Sequence, residues 1–446
     1  MKIKLYRSAT VSVNIDGFKI LQDPWLVDGE YYGSWSHYPP FDIKRNIDEI
    51  NSHNIIYISH IHPDHCSDST IKLINKNIPI YIHKFHAKFL KFKLERMGFK
   101  IIELENGKRH EVHKDIYLNI FAADNCDPQL CYKFMGCSDM SAKEESQQID
   151  TLAVISSKKN VLLNVNDCPF DLAKSTFDDI HKQYEKIDLL LTGYQNASPY
   201  PQCFDNLNTE EKINIGKEIS ISCLNKALSF IKNFKPKYFL PFAGTYALTG
   251  SLCHLNDLRS VPTIDDAYNF LSQNQNFSQP IKINPESSFC LTTQSVDIPY
   301  KKFDKKDYDN YVNLVLKKKR LSYEQNSIPD FDSIYNLCQK AYVKYLDKKI
   351  INNIKLSTDI YIQYFNKLIK IPKEENSKLS VIDKNKIDQN SKFVIYRTDP
   401  RLLELLLNGP RFAHWNNAEI GSHVNFYRKP NIFERDVYAS MCYFHC

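Results

Sequence analysis

Ile55-Ile56-Tyr57-Ile58-Ser59-His60-Ile61-His62-Pro63-Asp64-His65 decides the reading of this chain. An apolar run of strand type is followed at its mouth by three imidazoles and one carboxylate. Neutral imidazole and carboxylate together form a ligand set for Zn or Fe. In an extended segment, residues two apart point the same way, so His60 and His62 face one metal. The turn at Pro63 swings Asp64 and His65 toward a second metal. Two metals a few ångströms apart suit hydrolysis, because one acidifies a bound water and both steady the developing oxyanion. A chance grouping of surface histidines is the bland alternative, and it rarely produces this pattern after a buried strand.

Outward from that stretch, Thr10-Val11-Ser12-Val13-Asn14-Ile15 and Phe18-Lys19-Ile20-Leu21 alternate around Asp16-Gly17, a strong hairpin signal. Short apolar runs follow at 55–58, 78–82, 116–121, 152–155, 161–165, 188–191 and 238–240. Helical spacing is read at 69–75, 85–97, 170–184 and 209–234. Strands interleaved with helices up to about residue 300 predict sheets covered by helices on their outer faces. Beyond 300, residues 331–346 and 358–369 read as amphipathic helices, 372–390 as a loop, 393–396 as a strand and 401–407 as a helix. Residues 1–300 are therefore expected to form one domain, and 301–446 a smaller, mostly helical mixed accessory domain. The 446 residues are 43% hydrophobic and 25% charged with only 12 Gly, which excludes disordered and collagen-like classes. A net charge of +6 over this length is a weak excess, so no nucleic-acid partner is expected. No apolar run approaches the roughly 18 residues of a spanning helix, and no secretory leader is evident. The twelve Cys include no C-x-x-C pair, so reduced thiols in the cytoplasm are expected.

The H-x-H-x-D-H run resembles the metallo-β-lactamase superfamily. Asp23-Pro24-Trp25-Leu26, Asn166-Asp167-Cys168 and Pro241-Phe242-Ala243-Gly244 resemble the metallo-β-lactamase part of CMP-N-acetylneuraminate hydroxylases, a group related to the ascorbate-6-phosphate lactonases and N-acylphosphatidylethanolamine phospholipase D. The resemblance covers about residues 10–260 well. It implies a four-layer αββα sandwich, with Asp167 bridging two metals and His254 as the late histidine ligand. It also implies a third histidine of the first site between Ala123 and Asp150, yet no His occurs from Lys114 to Ile180. Asp127, Asp124 or Cys126 can stand in, as can His83 or His86, although those two read as a surface pair at a helix start. A carboxylate there favours iron or manganese, and Cys126 would favour zinc. His414-Trp415-Asn416-Asn417 adds a fainter likeness in the tail.

The resemblance implies two divalent metal ions, Zn or Fe with Mn allowed. Two activities follow. In the first, a metal-bound hydroxide hydrolyses a small phosphorylated, lactone or nucleotide-sugar-type metabolite, with Asp64 orienting the water or taking its proton. In the second, an iron centre hydroxylates a nucleotide sugar. The hydroxylases carry a Rieske domain with Cys-x-His pairs; none occurs here, so electrons would come from a separate redox partner. A non-catalytic scaffold with a degenerate site is the third reading. Asn196, Ser198 and Tyr200 are candidate substrate contacts on the loop after 188–191. Trp35 is a candidate ring-stacking wall or a core plug. A homo-oligomer stays open.

Overall fold

The computed structural model describes residues 1–135, 149–243, 246–374 and 377–446. Part of the segment expected to stand in for the missing histidine, and Gly244 of the Pro-Phe-Ala-Gly run, lie outside these.

The hairpin forms as its sequence dictates. Thr10–Ile15 and Phe18–Gln22 pair antiparallel with Ile15 opposite Phe18, and Asp16 (φ 51°) and Gly17 (φ 96°) make the turn. Both residues need positive φ, which Asp tolerates and Gly adopts without cost. The hairpin sits inside an eight-stranded sheet. From Phe18–Gln22 the sheet continues through Ile55–Tyr57, Ile80–His83 and Ile101–Leu104, all parallel. A second, seven-stranded sheet contains Arg109–His113, Ile116–Ala122, Thr151–Ser157, Val161–Asn164, Leu189–Gly193 and Tyr238–Phe242.

Side chains from the two facing sheets form one apolar layer: Val11, Val13, Ile20, Ile55 and Tyr57 meet Leu118, Ile120, Ala153, Leu162, Leu191 and Leu240. On the outer face of the first sheet, Ile56, Ile58, Ile80 and Ile82 pack with Ile43, Ile50, Leu90 and Leu94 of the helices Ile43–Asn51 and Phe89–Arg96. On the outer face of the second, Leu163, Leu190 and Phe239 pack with the helices Phe170–Gln183, Thr209–Phe234 and Ile264–Gln273. The order helix, sheet, sheet, helix is the αββα sandwich. Central strands buried on both faces explain why their sequences read as continuous apolar runs.

Past residue 300 the structure differs from its expected form in two adjoining segments. Residues 358–369 are not a helix. Asp359–Tyr364 and Lys367–Ile371 form an antiparallel pair at the heart of a five-stranded sheet. Ile360 and Ile362 face one apolar cluster and Tyr361 faces another. With both faces covered, the β-branched and aromatic residues satisfy period two and period 3.6 alike, and tertiary packing selects the strand. The adjoining stretch 372–390, expected as loop, contributes the edge strand Ser380–Asp383. No helix among the described residues is long and apolar enough to cross a membrane.

Candidate metal centre

The strand Ile55–Tyr57 runs parallel between two neighbours, and its backbone pairing extends to Ile58, whose N–H donates to Tyr81 O at 3.1 Å. Beyond it the chain turns into the gap at the sheet ends, so His60 and His65 are fully buried there, with Asp64 nearly so. One carboxylate fixes this turn. Asp23, at φ 43° just after the hairpin, accepts from Ser59 N and Ser59 Oγ, each at 2.7 Å. Its Oδ2 also lies 2.8 Å from His65 Nδ1. An imidazole held at one nitrogen by a carboxylate presents the other nitrogen in a fixed direction. Asp23 had no assigned role in the sequence reading; its Asp-Pro-Trp context was the available signal.

Five of the expected ligands converge. His60 Nε2 lies 3.0 Å from His62 Nδ1. His65 Nε2 lies 3.3 Å from Asp167 Oδ2 and 3.6 Å from Asp64 Oδ2. This buried nitrogen has no aligned hydrogen-bond partner. A buried, orphaned imidazole nitrogen facing two carboxylates is what a cation would satisfy. Two groups have ligand atoms within 4.8 Å of one another: His60, His62 and Asp150, and His60, His65 and Asp167.

Asp150, not Asp127, stands with His60 and His62. Its Oδ1 lies 3.7 Å from His60 Nε2. It precedes the strand Thr151–Ser157, which lies between Ile116–Ala122 and Val161–Asn164, so its side chain emerges at the same sheet end as Asp167. Asp127 is drawn away by the next element: its Oδ1 accepts from Gln129 N at 2.8 Å, in the first turn of the helix Pro128–Met135. Asp124 is buried and turns back on its own backbone, accepting from Cys126 N at 3.0 Å.

The remaining expectations divide. His254 is not brought to the cluster: it is exposed on the 3-10 helix Gly250–Leu258, with Nδ1 bonded to Ser251 O at 2.8 Å. Trp35 is a core residue, stacked on Tyr246 with ring centroids 3.4 Å apart. Ser198 Oγ accepts from Tyr200 N, and Tyr200 packs edge-on against Phe204 with its hydroxyl near Asn431. Asn196 is half-buried in the same loop. None of these three stands in either ligand group among the described residues. His83 is not at the surface but closes the strand Ile80–His83, buried beside Phe85, and burial lowers its pKa to about 4.

The electrostatics suit a cation. Burial, then the neighbouring His65 and His62, keep His60 well below the ordinary imidazole range; burial likewise lowers His62. Both are neutral donors at pH 7. Burial opposes a charge on His65, yet Asp167, Asp64 and Asp23 outweigh it and raise its pKa. Burial raises Asp64. At Asp167 desolvation also pushes upward, but His65, then His60 and His62, hold the carboxyl below its ordinary range. The cluster thus keeps a proton on His65 among carboxylates, the position a divalent cation takes on releasing it. The tail reaches this cleft too: Asn416 lies beside His62, and burial followed by the neighbouring His62 lowers His414 to about 4.

No protein-family profile matches the chain. The cytidine monophosphate-N-acetylneuraminic acid hydroxylase of Asterias rubens is 25% identical over 359 residues, covering 75% of this chain and 50% of that protein. The enzyme of the same name from Danio rerio is 26% identical over 236 residues, 51% of this chain and 35% of that protein. The chain thus spans about half or less of the length of these relatives. The chain resembles the metallo-β-lactamase superfamily. An isothiocyanate hydrolase from Delia radicum gut bacteria superposes with a TM-score of 0.42 at 12% identity, over 65% of this chain and 98% of that structure. The metallo-β-lactamase motif residues His60, His62, Asp64 and His65 and the later Asp167 share one cleft in this chain.

Proposed function

We propose that this chain is an iron-dependent oxygenase acting on a nucleotide sugar. The observation that carries the reading is the donor set: His60, His62 and Asp150 combine two histidines with one aspartate. Two histidines and a carboxylate, with positions left open, are a ligand set of ferrous iron in oxygen chemistry, and zinc takes the same set in hydrolases. The bound metal would supply activation of dioxygen for insertion into a C–H bond. Two electrons and two protons per turnover reduce the second oxygen atom to water, and a separate reduced protein supplies the electrons. His60, His62 and Asp150 would hold one ion, and Asp64, His65 and Asp167 the other, with His60 between them. Asp23 and Ser59 fix the imidazoles so that little reorganisation accompanies binding. The names of the relatives support the substrate class. We assign the catalytic cluster to residues 1–300 and an accessory role to 301–446. The buried thiols of Cys66, Cys168, Cys203 and Cys338 are not in disulfides, which supports a reducing compartment, the cytoplasm.

A second reading is metal-dependent hydrolysis of a small phosphorylated or lactone metabolite. It is favoured by Asp167, 38% exposed at the cleft mouth, and by Asp64 Oδ2 beside it, positioned to orient a water. The experiment is anaerobic reconstitution with Fe(II) or Zn(II), followed by assay with CMP-sugars and a chemical reductant. Oxygen uptake matched to a product 16 Da heavier supports the first reading. Product release without oxygen uptake, best with zinc, overturns it in favour of the second.

A further inference from the structure

Asp64 does not face the cleft freely. Tyr31 Oη donates a hydrogen bond to Asp64 Oδ1, leaving Oδ2 as the oxygen turned toward His65. Tyr31 sits in an improbable backbone: it and Tyr32 both adopt the left-handed region, at φ 50° and 58°. Two successive bulky residues there persist only where the surroundings enforce them.

Within the turn, Ser34 N and Ser34 Oγ donate to Tyr31 O at 3.2 and 2.9 Å, and the further enforcing contacts come from distant parts of the chain. His423 Nε2 lies 2.7 Å from Tyr31 O, and His423 Nδ1 lies 3.0 Å from Tyr323 Oη. The carbonyl only accepts, so Nε2 carries the proton and Nδ1 accepts from the tyrosine. His414 N donates to Tyr32 Oη at 2.7 Å, and Ser322 N to Tyr32 O at 2.9 Å. Gly33 closes the turn at φ 90°, and a Cβ on it would lie 3.0 Å from Ser322 N and 3.1 Å from Leu321 Cα. The turn is therefore pressed against residues 320–323 and tied to 414–423.

We propose that Tyr31 is a positioning residue for Asp64, and that the C-terminal region acts on the metal centre by clamping Tyr31 through His423. The proposal rests on Asp64 belonging to that centre. Tyr31 occupies one carboxylate oxygen, so Asp64 offers a cation a single oriented oxygen. His423 keeps the tyrosine backbone in the conformation that permits this. The C-terminal sheet and helices are then part of the site's construction and not a separate binding module.

Co(II) titration of the full-length protein, followed by calorimetry and visible absorption, tests this. Asp64→Asn marks the ion that Asp64 serves. Tyr31→Phe, which removes only the hydroxyl, is expected to weaken that same ion about 10–100-fold and shift its absorption band. His423→Ala is expected to weaken it likewise, and the double variant to be no worse than Tyr31→Phe, since both act through one contact. His423→Gln, whose amide can donate to Tyr31 O, is expected to restore binding if the alanine variant fails to fold. Wild-type protein that binds no Co(II) overturns the metal reading and the proposal with it. Normal wild-type binding with an unchanged Tyr31→Phe, or additive losses in the double variant, overturns the proposal alone.

Discussion

At the scale of single residues, the first site turns on which carboxylate replaces an imidazole. Asp150 lies within reach of His60, whereas Asp127 is spent on the start of a helix. Asp150→Ala is therefore expected to lower bound metal after dialysis, and Asp127→Ala to leave it unchanged, both read by elemental analysis. Asp150→His is the sharper variant. A neutral imidazole in place of a carboxylate should move preference from iron toward zinc, measured by competition between the two ions. Equal preference in wild type and variant would show that the carboxylate does not select the metal. His254→Ala should leave metal content untouched, since its ring is at the surface. The contrast shows where sequence reasoning reached and stopped. His60, His62, Asp64 and His65 are adjacent in the chain, and local geometry alone brings them together. Asp150 carried no such signal: it is one of many aspartates, and only strand pairing places it at the shared sheet end. His254 was expected from the resemblance as the late histidine ligand, but it lies on a 3-10 helix with its ring turned outward.

At the scale of elements, the hairpin and the helix Thr209–Phe234 were legible because each carries its own boundaries. The helix begins at Asn208, whose side chain and Glu211 form a reciprocal cap. The strand pair spanning 359–371 carried none, and its covered faces blurred the period. The short helix Trp415–Ile420 offers a measurable consequence. Glu419 is buried near Tyr396 and Tyr438, and burial raises its carboxyl to about 8. A raised acid pKa means that the folded state binds the proton more tightly than the unfolded chain. The stabilisation is therefore full below the unfolded value near 4.5 and is lost as pH rises toward 8. Urea unfolding should show wild type losing stability between pH 5 and 8 relative to Glu419→Gln, with a slope of at most about 1.4 kcal/mol per pH unit. Parallel pH profiles for the two proteins would rule the effect out.

At the scale of the whole molecule, one apolar cluster runs through both regions of the chain. Trp25, Trp35 and Tyr246 share it with Tyr345, Trp415, Phe426 and Phe444. A division near residue 300 read from sequence texture thus marks a change of composition across a continuous core. Two regions that share a core and a clamped turn should lose structure together, and a cation held at one end should stabilise both. A ligand at 100 times its dissociation constant adds about 2.7 kcal/mol to the folded state. Removing metal with a chelator should therefore lower a single thermal transition. Hydrogen exchange should then rise in Asp359–Tyr364 as well as in Ile116–Ala122, although only the latter strand ends beside the ligands. If the chelator exposed the strand Ile116–Ala122 alone, leaving the C-terminal sheet protected, the shared core would not couple them and the clamp on Tyr31 would be a contact without mechanical consequence. Joint loss would instead mean that the C-terminal sheet feels the metal through the core and the turn at Tyr31, which ties the placement of Asp64 to the folding of residues almost 300 positions later.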